Sequence, residues 1–141
     1  MDAIIKCACL IALNKSKGAI LLVRTHDYKN FYLPGGKIEA NETAQQALIR
    51  ELKEELLIDV LPETITYLTT FKGPAYMQEN IDVELNCYTA NWNGLITPQK
   101  EVKEAKFINL NEHNLMAPTL VKFIKQWLFE YLKNPKCGYN P

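Results

Sequence analysis

A chain of 141 residues is long enough to bury a sizeable core, and it is expected to fold as one domain over residues 1–141. Its 16 basic and 16 acidic side chains cancel, which removes the bulk charge that a nucleic-acid or membrane-surface binder relies on. The opening run MDAIIKCACLIALNKSKG is too short and interrupted to span a bilayer and lacks a basic leader and cleavage site, so a cytoplasmic protein is expected.

In chain order, residues 3–13 are β-prone and mostly apolar and read as a strand. Residues 14–18 form a turn and 19–24 return as a second strand, which predicts a hairpin. Residues 25–30 are polar and loop-like. Phe31, Tyr32 and Leu33 make a short strand that Pro34 ends, delivering Gly35 and Gly36. Two glycines let the backbone approach a ligand closely and turn its amides toward phosphate oxygens, although a tight turn uses them too. Asn41 is a candidate N-cap for the helix that follows, with Glu42 in its first turn.

Beyond Asp59 the pair Leu61-Pro62 breaks the chain, residues 65–71 read as a strand, and 72–80 as a loop fit to rim a substrate site. Residues 82–92 alternate, with Val83, Leu85 and Cys87 on one face and Glu84, Asn86 and Tyr88 on the other. Asn93-Gly94 is a turn and 106–110 a strand. Pro118 opens a closing helix that runs to Lys133, on which Leu120, Ile124, Trp127, Leu128, Tyr131 and Leu132 recur at three- and four-residue steps. Its aromatic residues read as core and not as a base-stacking platform. Residues 134–141 read as a frayed tail. Strands, a helix, more strands and a closing helix predict a layered α+β or α/β domain.

The cysteines form no ligand pattern. Cys7 and Cys9 face the same way on a strand, Cys87 and Cys137 stand alone, and no histidine is near them in sequence, so they read as small buried hydrophobes. His26 and His113 read as loop or surface residues.

The helix after Gly36 carries the chemistry. With Glu51 at zero and about 100° per residue, Glu55 lies about 40° to one side and Glu54 about 60° to the other. Leu48, Ile49, Leu52 and Leu56 cluster on a separate face suited to a core. Three carboxylates on one face repel by roughly 0.2–0.5 kcal/mol per pair and oppose the helix dipole in the last turns. A divalent cation such as Mg²⁺ reverses both penalties, because hard ions take carboxylate oxygen and bridge to substrate phosphates. The plain alternative is a solvated face on which Arg50 and Lys53 supply local compensation.

Spacing decides against that alternative. Gly36, Glu42, Arg50, Glu51, Leu52, Glu54, Glu55 and Ile58 fall on the pattern GX5EX7REUXEEXGU, with U an aliphatic residue, so residues 36–58 closely resemble the signature of the Nudix hydrolases. One position departs: Leu57 stands where the pattern has glycine. If the backbone there needs a positive φ, leucine costs roughly 1–2 kcal/mol.

The resemblance implies an α+β fold of the α/β/α sandwich type, with a mixed sheet between helices. It implies hydrolysis of a pyrophosphate bond in a nucleoside diphosphate linked to a further group, with Mg²⁺ as cofactor and Mn²⁺ as a possible substitute. By the same resemblance Glu51, Glu54 and Glu55 are metal ligands, joined by the Gly36 carbonyl, while Glu42 and Arg50 orient them. The catalytic candidates are Glu51, Glu54, Arg50 and Glu101. The last is a candidate general base on the loop before the 106–110 strand, and Glu104 competes for that role. Gly35, Gly36, Arg24 and Tyr76 are candidate substrate contacts.

Substrate markers conflict. Pro74 matches the loop proline of ADP-ribose pyrophosphatases, and Tyr76 matches the loop tyrosine of dinucleoside polyphosphate hydrolases. The short chain looks more like the compact MutT-type enzymes, which favours a nucleoside triphosphate or related nucleotide. Thr119 stands where a base-reading asparagine is expected, which argues against 8-oxoguanine specificity. The alternatives are ADP-ribose or dinucleoside polyphosphate hydrolysis, a non-catalytic nucleotide-sensing module, and an interaction protein whose acidic helix is only surface. The expected partner is a small nucleotide, with no nucleic acid and no membrane, on a monomer or homodimer for which Trp92 or the Tyr76 loop offers a contact.

Overall fold

Alternation along the strands sets the architecture, because successive side chains feed opposite faces. On the first strand, β1 (Ala3–Leu10), Ala8 and Leu10 enter one buried cluster while Cys9 enters another. On β3 (Ala19–Thr25), Leu21 and Val23 join the first cluster, and Ile20 and Leu22 the second. The helix α1 (Ala44–Leu56) covers the first cluster with Leu48, Leu52 and Leu56. The closing helical segment covers the second with Leu120, Phe123, Ile124 and Leu128. The result is strands between helices, as expected for an α/β/α sandwich. This is a computed structural model, and it describes residues 3–133, so the tail expected to fray lies outside the described residues.

The short strand β2 (Leu13–Asn14) pairs with β3, which also pairs antiparallel with β9 (Val102–Asn109). A four-stranded sheet runs β4 (Gly35–Lys37), β1, β7 (Ile81–Thr89) and β6 (Thr66–Pro74). Its β1–β7 pair is parallel and the others antiparallel, so the sheet is mixed. A two-residue ladder joins β5 (Asp59–Val60) and β8 (Trp92–Asn93). No helix among the described residues is long and apolar enough to cross a membrane.

Several expectations are corrected. The hairpin between the first two strands shrinks to the β2–β3 pairs Leu13–Ile20 and Asn14–Ala19, because β1 leaves to lie between β4 and β7. Residues 31–33 are not a strand: Phe31 and Tyr32 form single bridges, Tyr32 to Val23 and Phe31 to Met116. The strand comes later, in the glycine pair itself. The loop expected over 72–80 is shorter, since β6 continues to Pro74.

The N-cap of α1 is Thr43 and not Asn41. Thr43 Oγ1 accepts from the Gln46 amide at 3.1 Å and Gln46 Oε1 accepts from the Thr43 amide at 2.9 Å, a capping box worth about 1 kcal/mol. Asn41 takes a left-handed turn at φ 65°, and Glu42 precedes the helix. At the far end Leu57 does adopt φ 56°, the conformation in which leucine is strained. The closing helix starts at Pro118 as expected, but its stretches α2 (Pro118–Phe123) and α3 (Phe129–Lys133) flank one wide π turn over Ile124–Leu128. Across that turn Phe123, Trp127 and Tyr131 stack, with centroids 5.6 and 4.8 Å apart.

Candidate active site

The glycine strand comes first. Gly35 has φ 133°, and a Cβ there would run into the Ala8 carbonyl, so only glycine lets β4 lie against β1. Gly36 faces α1: a Cβ on it would stand 2.5 Å from the Glu51 carboxylate. The pair brings bare backbone against the acidic helix face.

Arg50 organises that face. Its Nε and Nη2 donate to the two oxygens of Glu42 at 2.8 and 2.9 Å, and its Nη1 donates to Glu51 at 2.6 Å. Nη2 also reaches the Lys37 carbonyl at 3.1 Å, and Nη1 lies 3.5 Å from Glu54. The loop before α1 therefore folds back so that Glu42 meets an arginine two turns into the helix. The Arg50 hydrogen bonds, with help from the Glu39 amide, hold the Glu42 carboxyl down at about 2.

Glu55 has no such counter-charge. Burial first, then Glu51 beside it, push its carboxyl up to about 8, with a hydrogen bond to Glu51 and the charges of Glu101 and Glu54 adding to the rise. Glu101 comes from far along the chain. The segment before β9 is stitched to the end of α1 by the Thr97 amide on the Leu56 carbonyl and the Gln99 amide on the Glu55 carbonyl, both at 2.8 Å. That stitching satisfies helix-end carbonyls and brings the segment carrying Glu101 to the end of α1. Glu104 points elsewhere: its carboxylate takes Arg24 at 3.1 Å and Lys106 at 3.2 Å, which lower its pKa.

The donor set suits a hard divalent cation, being carboxylate oxygen beside a close-lying backbone. The upward push on the Glu55 carboxyl reflects the negative charge such an ion would compensate. The ligands are not gathered as they stand. Among the described residues no three acidic, histidine or cysteine side chains form a group able to hold an ion. Glu51 is drawn to Arg50, and Glu54 lies between Arg50 and Lys100, whose Nζ is 4.0 Å away.

A cleft of about 310 Å³ leads away from this face, with Gly35, Gly36 and Glu55 at its acidic end. Cys7 and Cys9 of β1 and Val83 and Leu85 of β7 line it, so the CxC pair does share a face. Burial raises both thiols, Cys7 to about 11, with the Glu51 charge adding, and Cys87 is pushed up to about 12. Tyr32 also lines the cleft, and its buried hydroxyl has no hydrogen-bond partner. Burial raises its pKa, so the phenol stays neutral. His26, Tyr28 and Tyr76 supply aromatic edges.

Of the sequence-derived candidates, Gly35, Gly36, Glu55 and Tyr76 meet at the cleft, with Glu51, Glu54, Arg50, Glu42 and Glu101 around its acidic end. Arg24 is not among the lining residues; it holds Glu104 and the Tyr28 carbonyl at 3.3 Å. Thr119 is buried and donates to the Pro74 carbonyl, tying α2 to β6 and away from the cleft. Sequence reasoning missed Tyr28, Tyr32 and His26 as cleft residues. The one available signal was aromatic density just before the glycines.

The sequence pattern of the NUDIX domain family matches residues 5–131. A dihydroneopterin triphosphate diphosphatase of Escherichia coli is 28% identical over 127 residues, covering 84% of this chain and 81% of that protein. An ADP-ribose pyrophosphatase of Methanocaldococcus jannaschii is 29% identical over 98 residues, 70% of this chain, and the match spans only 57% of that relative's length. The solution structure of the E. coli ORF135 protein superposes with a TM-score of 0.72 at 22% identity, covering 96% of each chain, a likeness of fold.

Proposed function

The chain belongs to the NUDIX domain family, and on that premise we propose that it hydrolyses a pyrophosphate bond in a nucleoside diphosphate linked to a further group, with Mg²⁺ as cofactor. A nucleoside triphosphate or related nucleotide is the favoured substrate. The observation that carries the proposal is Glu55, which lines a cleft together with Gly35 and Gly36 and feels the negative charges of Glu51, Glu101 and Glu54.

In this reading Glu51, Glu54 and Glu55 hold the cation, with the Gly36 backbone beside them. When bound, a divalent cation screens phosphate charge and acidifies water. The chain's own residues do the rest. Arg50 orients Glu51 while Glu42 fixes Arg50, so the ligand face is preorganised from outside. Gly35 and Gly36 leave room for phosphate oxygens close to the backbone. Glu101, exposed beside Glu55, accepts the proton of the attacking water. The pairing of Glu104 with Arg24 and Lys106 supports Glu101 over Glu104.

The cleft volume, at the low end of the roughly 300–1,000 Å³ of ligand sites, supports one nucleoside-sized group over two. The E. coli triphosphate diphosphatase aligned over most of both chains supports the triphosphate reading more broadly than the shorter archaeal match supports ADP-ribose. Intact carboxylates argue against a sensing module, and the cleft beside Gly36 argues against a merely solvated acidic face.

The test is a panel of nucleoside triphosphates (oxidised ones included), ADP-ribose and diadenosine polyphosphates, assayed with Mg²⁺ for phosphate or pyrophosphate release. One class is expected to turn over, with EDTA abolishing release and Glu54→Gln lowering it by about 100-fold or more. Nucleotide binding without turnover anywhere on the panel would replace the hydrolase with a sensing module.

A further inference from the structure

On the aromatic side of the cleft, two loops are tied together by one side chain. Tyr76, on the loop after β6, donates its hydroxyl hydrogen to Asn30 Oδ1 at 3.0 Å and accepts from the Asn30 amide at 3.3 Å. Asn30 Nδ2 in turn donates to the Asn114 carbonyl at 3.3 Å. The Tyr76 hydroxyl is thus engaged on both its donor and acceptor sides, and what Tyr76 offers the cleft is its ring. That ring stands edge-on to Tyr28, 5.5 Å between centroids at 82°, and Tyr28 stands edge-on to His26 at 5.4 Å and 63°. All three rings line the cleft.

The loops that carry them hold unusual backbone. His26 has φ 50°, and Met77 and Asn80 have φ 63° and 60°. Strain of this kind persists only where surrounding contacts impose it, and here they include the His26 amide on the Glu101 carbonyl at 2.8 Å and the Asn30 brace. The same lining holds the Cys7 and Cys9 thiols and the Tyr32 phenol and includes no lysine or arginine.

We infer that Asn30 is a positioning residue for substrate recognition: through Tyr76 it holds an aromatic wall against which an uncharged heteroaromatic ring of the substrate is seated. The inference rests on the hydrolase reading only for where the phosphates lie. Aromatic edges and faces suit a flat ring, and a neutral floor favours one without charge. The wall thereby selects a triphosphate carrying one ring over a sugar phosphate.

Two measurements on the full chain separate this inference from the hydrolase proposal. The first is binding without chemistry: adenosine, guanosine and ribose 5-phosphate are titrated while the tyrosine ring protons are followed by NMR. A nucleoside is expected to shift the Tyr28 and Tyr76 signals, and ribose 5-phosphate to leave them in place. Asn30→Ala is expected to weaken nucleoside binding about 3–10-fold, the worth of one seated aromatic contact. Asn30→Asp keeps the acceptor for the Tyr76 hydroxyl and is expected to recover most of the loss. The second is the steady-state split on a nucleoside triphosphate, where Asn30→Ala raises KM by a similar factor with kcat within about 2-fold.

Unchanged binding and KM in an Asn30→Ala protein with wild-type thermal stability would overturn the inference, as would an equal fall in kcat without a rise in KM. If Asn30→Ala does not fold, Tyr76→Phe breaks the same brace while keeping the ring and carries the same expectations. Nucleoside binding with no triphosphate turned over would sink the hydrolase reading and leave the wall standing. Turnover indifferent to the ring would do the reverse.

Discussion

The two ends of the cleft meet the same physical problem, polar groups taken out of water, and solve it in opposite ways. At the acidic end charge is kept: Arg50 spans and compensates Glu42 and Glu51, while burial and the Glu51 charge push the Glu55 carboxyl up to about 8. At the other end the lining holds aromatic rings without a lysine or arginine among them, and burial keeps the Tyr32 phenol neutral. A compensated charge responds to cations and to pH, whereas buried thiols and phenols respond to neither near pH 7. In the proposed function one end reacts and the other recognises.

Arg50→Lys should separate the ends most sharply. A lysine keeps the charge but cannot hold Glu42 and Glu51 with one planar fork. We expect kcat on the accepted nucleotide to fall about 10–100-fold, with nucleoside binding at the neutral end unchanged. Unaltered kcat would mean that Arg50 does not orient the ligand face.

A pH series on metal-free protein tests the acidic end. Glu55 titrates near 8 in the folded chain against a usual value of 4.5, so between these the folded state holds a proton the unfolded state has released. Stability must therefore fall as pH rises from about 4.5 to 8. Glu42 works the other way, its contribution being present above about 4.5 and lost as pH falls toward 2. The thermal midpoint in EDTA should decline across the upper window in the wild type and stay flatter in Glu55→Gln. Parallel curves for the two proteins would show that Glu55 is not the group responsible.

Tyr32→Phe tests the neutral end. Its hydroxyl is buried without a partner, so its removal should stabilise the protein by about 0.5–1 kcal/mol in chemical denaturation. A loss of that size would reveal a partner for the phenol. Leu57→Gly returns to the end of the acidic helix and is the smallest effect. Relief of the left-handed leucine, about 1–2 kcal/mol, is offset by the added freedom of glycine in the unfolded chain, leaving a gain of about 0.5 kcal/mol. No gain would place the Leu57 side chain in a contact worth as much as its strain.

Local patterns were legible where they are dictated locally. The leucine stripe on α1, the alternation of Val83, Leu85 and Cys87, and Pro118 at a helix start all stand in the structure as their periods require. The cap of α1 was legible and misassigned. Thr43 and Gln46 carry a capping-box spacing, while Asn41, also a good capping residue, serves in a left-handed turn instead. Pairing was not legible. The two strands expected to form a hairpin part company because β1 gains eight parallel partners on β7, from Ala3–Ile81 to Leu10–Tyr88, and no local signal announces a partner so far along the chain.

The amino-acid order by itself determined which residues are chemically equipped: three carboxylates within one turn of a helix, an arginine beside them and two glycines ahead. Helical geometry needs only spacing to bring such groups to one face. Tertiary structure alone decided that Glu42 closes on Arg50, that Glu104 is taken up by Arg24 and Lys106 while Glu101 adds its charge at Glu55, and that Cys7, Tyr32 and Tyr76 line one cleft. Those meetings rest on strand pairing and on loops stitched to a helix end, contacts between residues distant in sequence that no local period encodes.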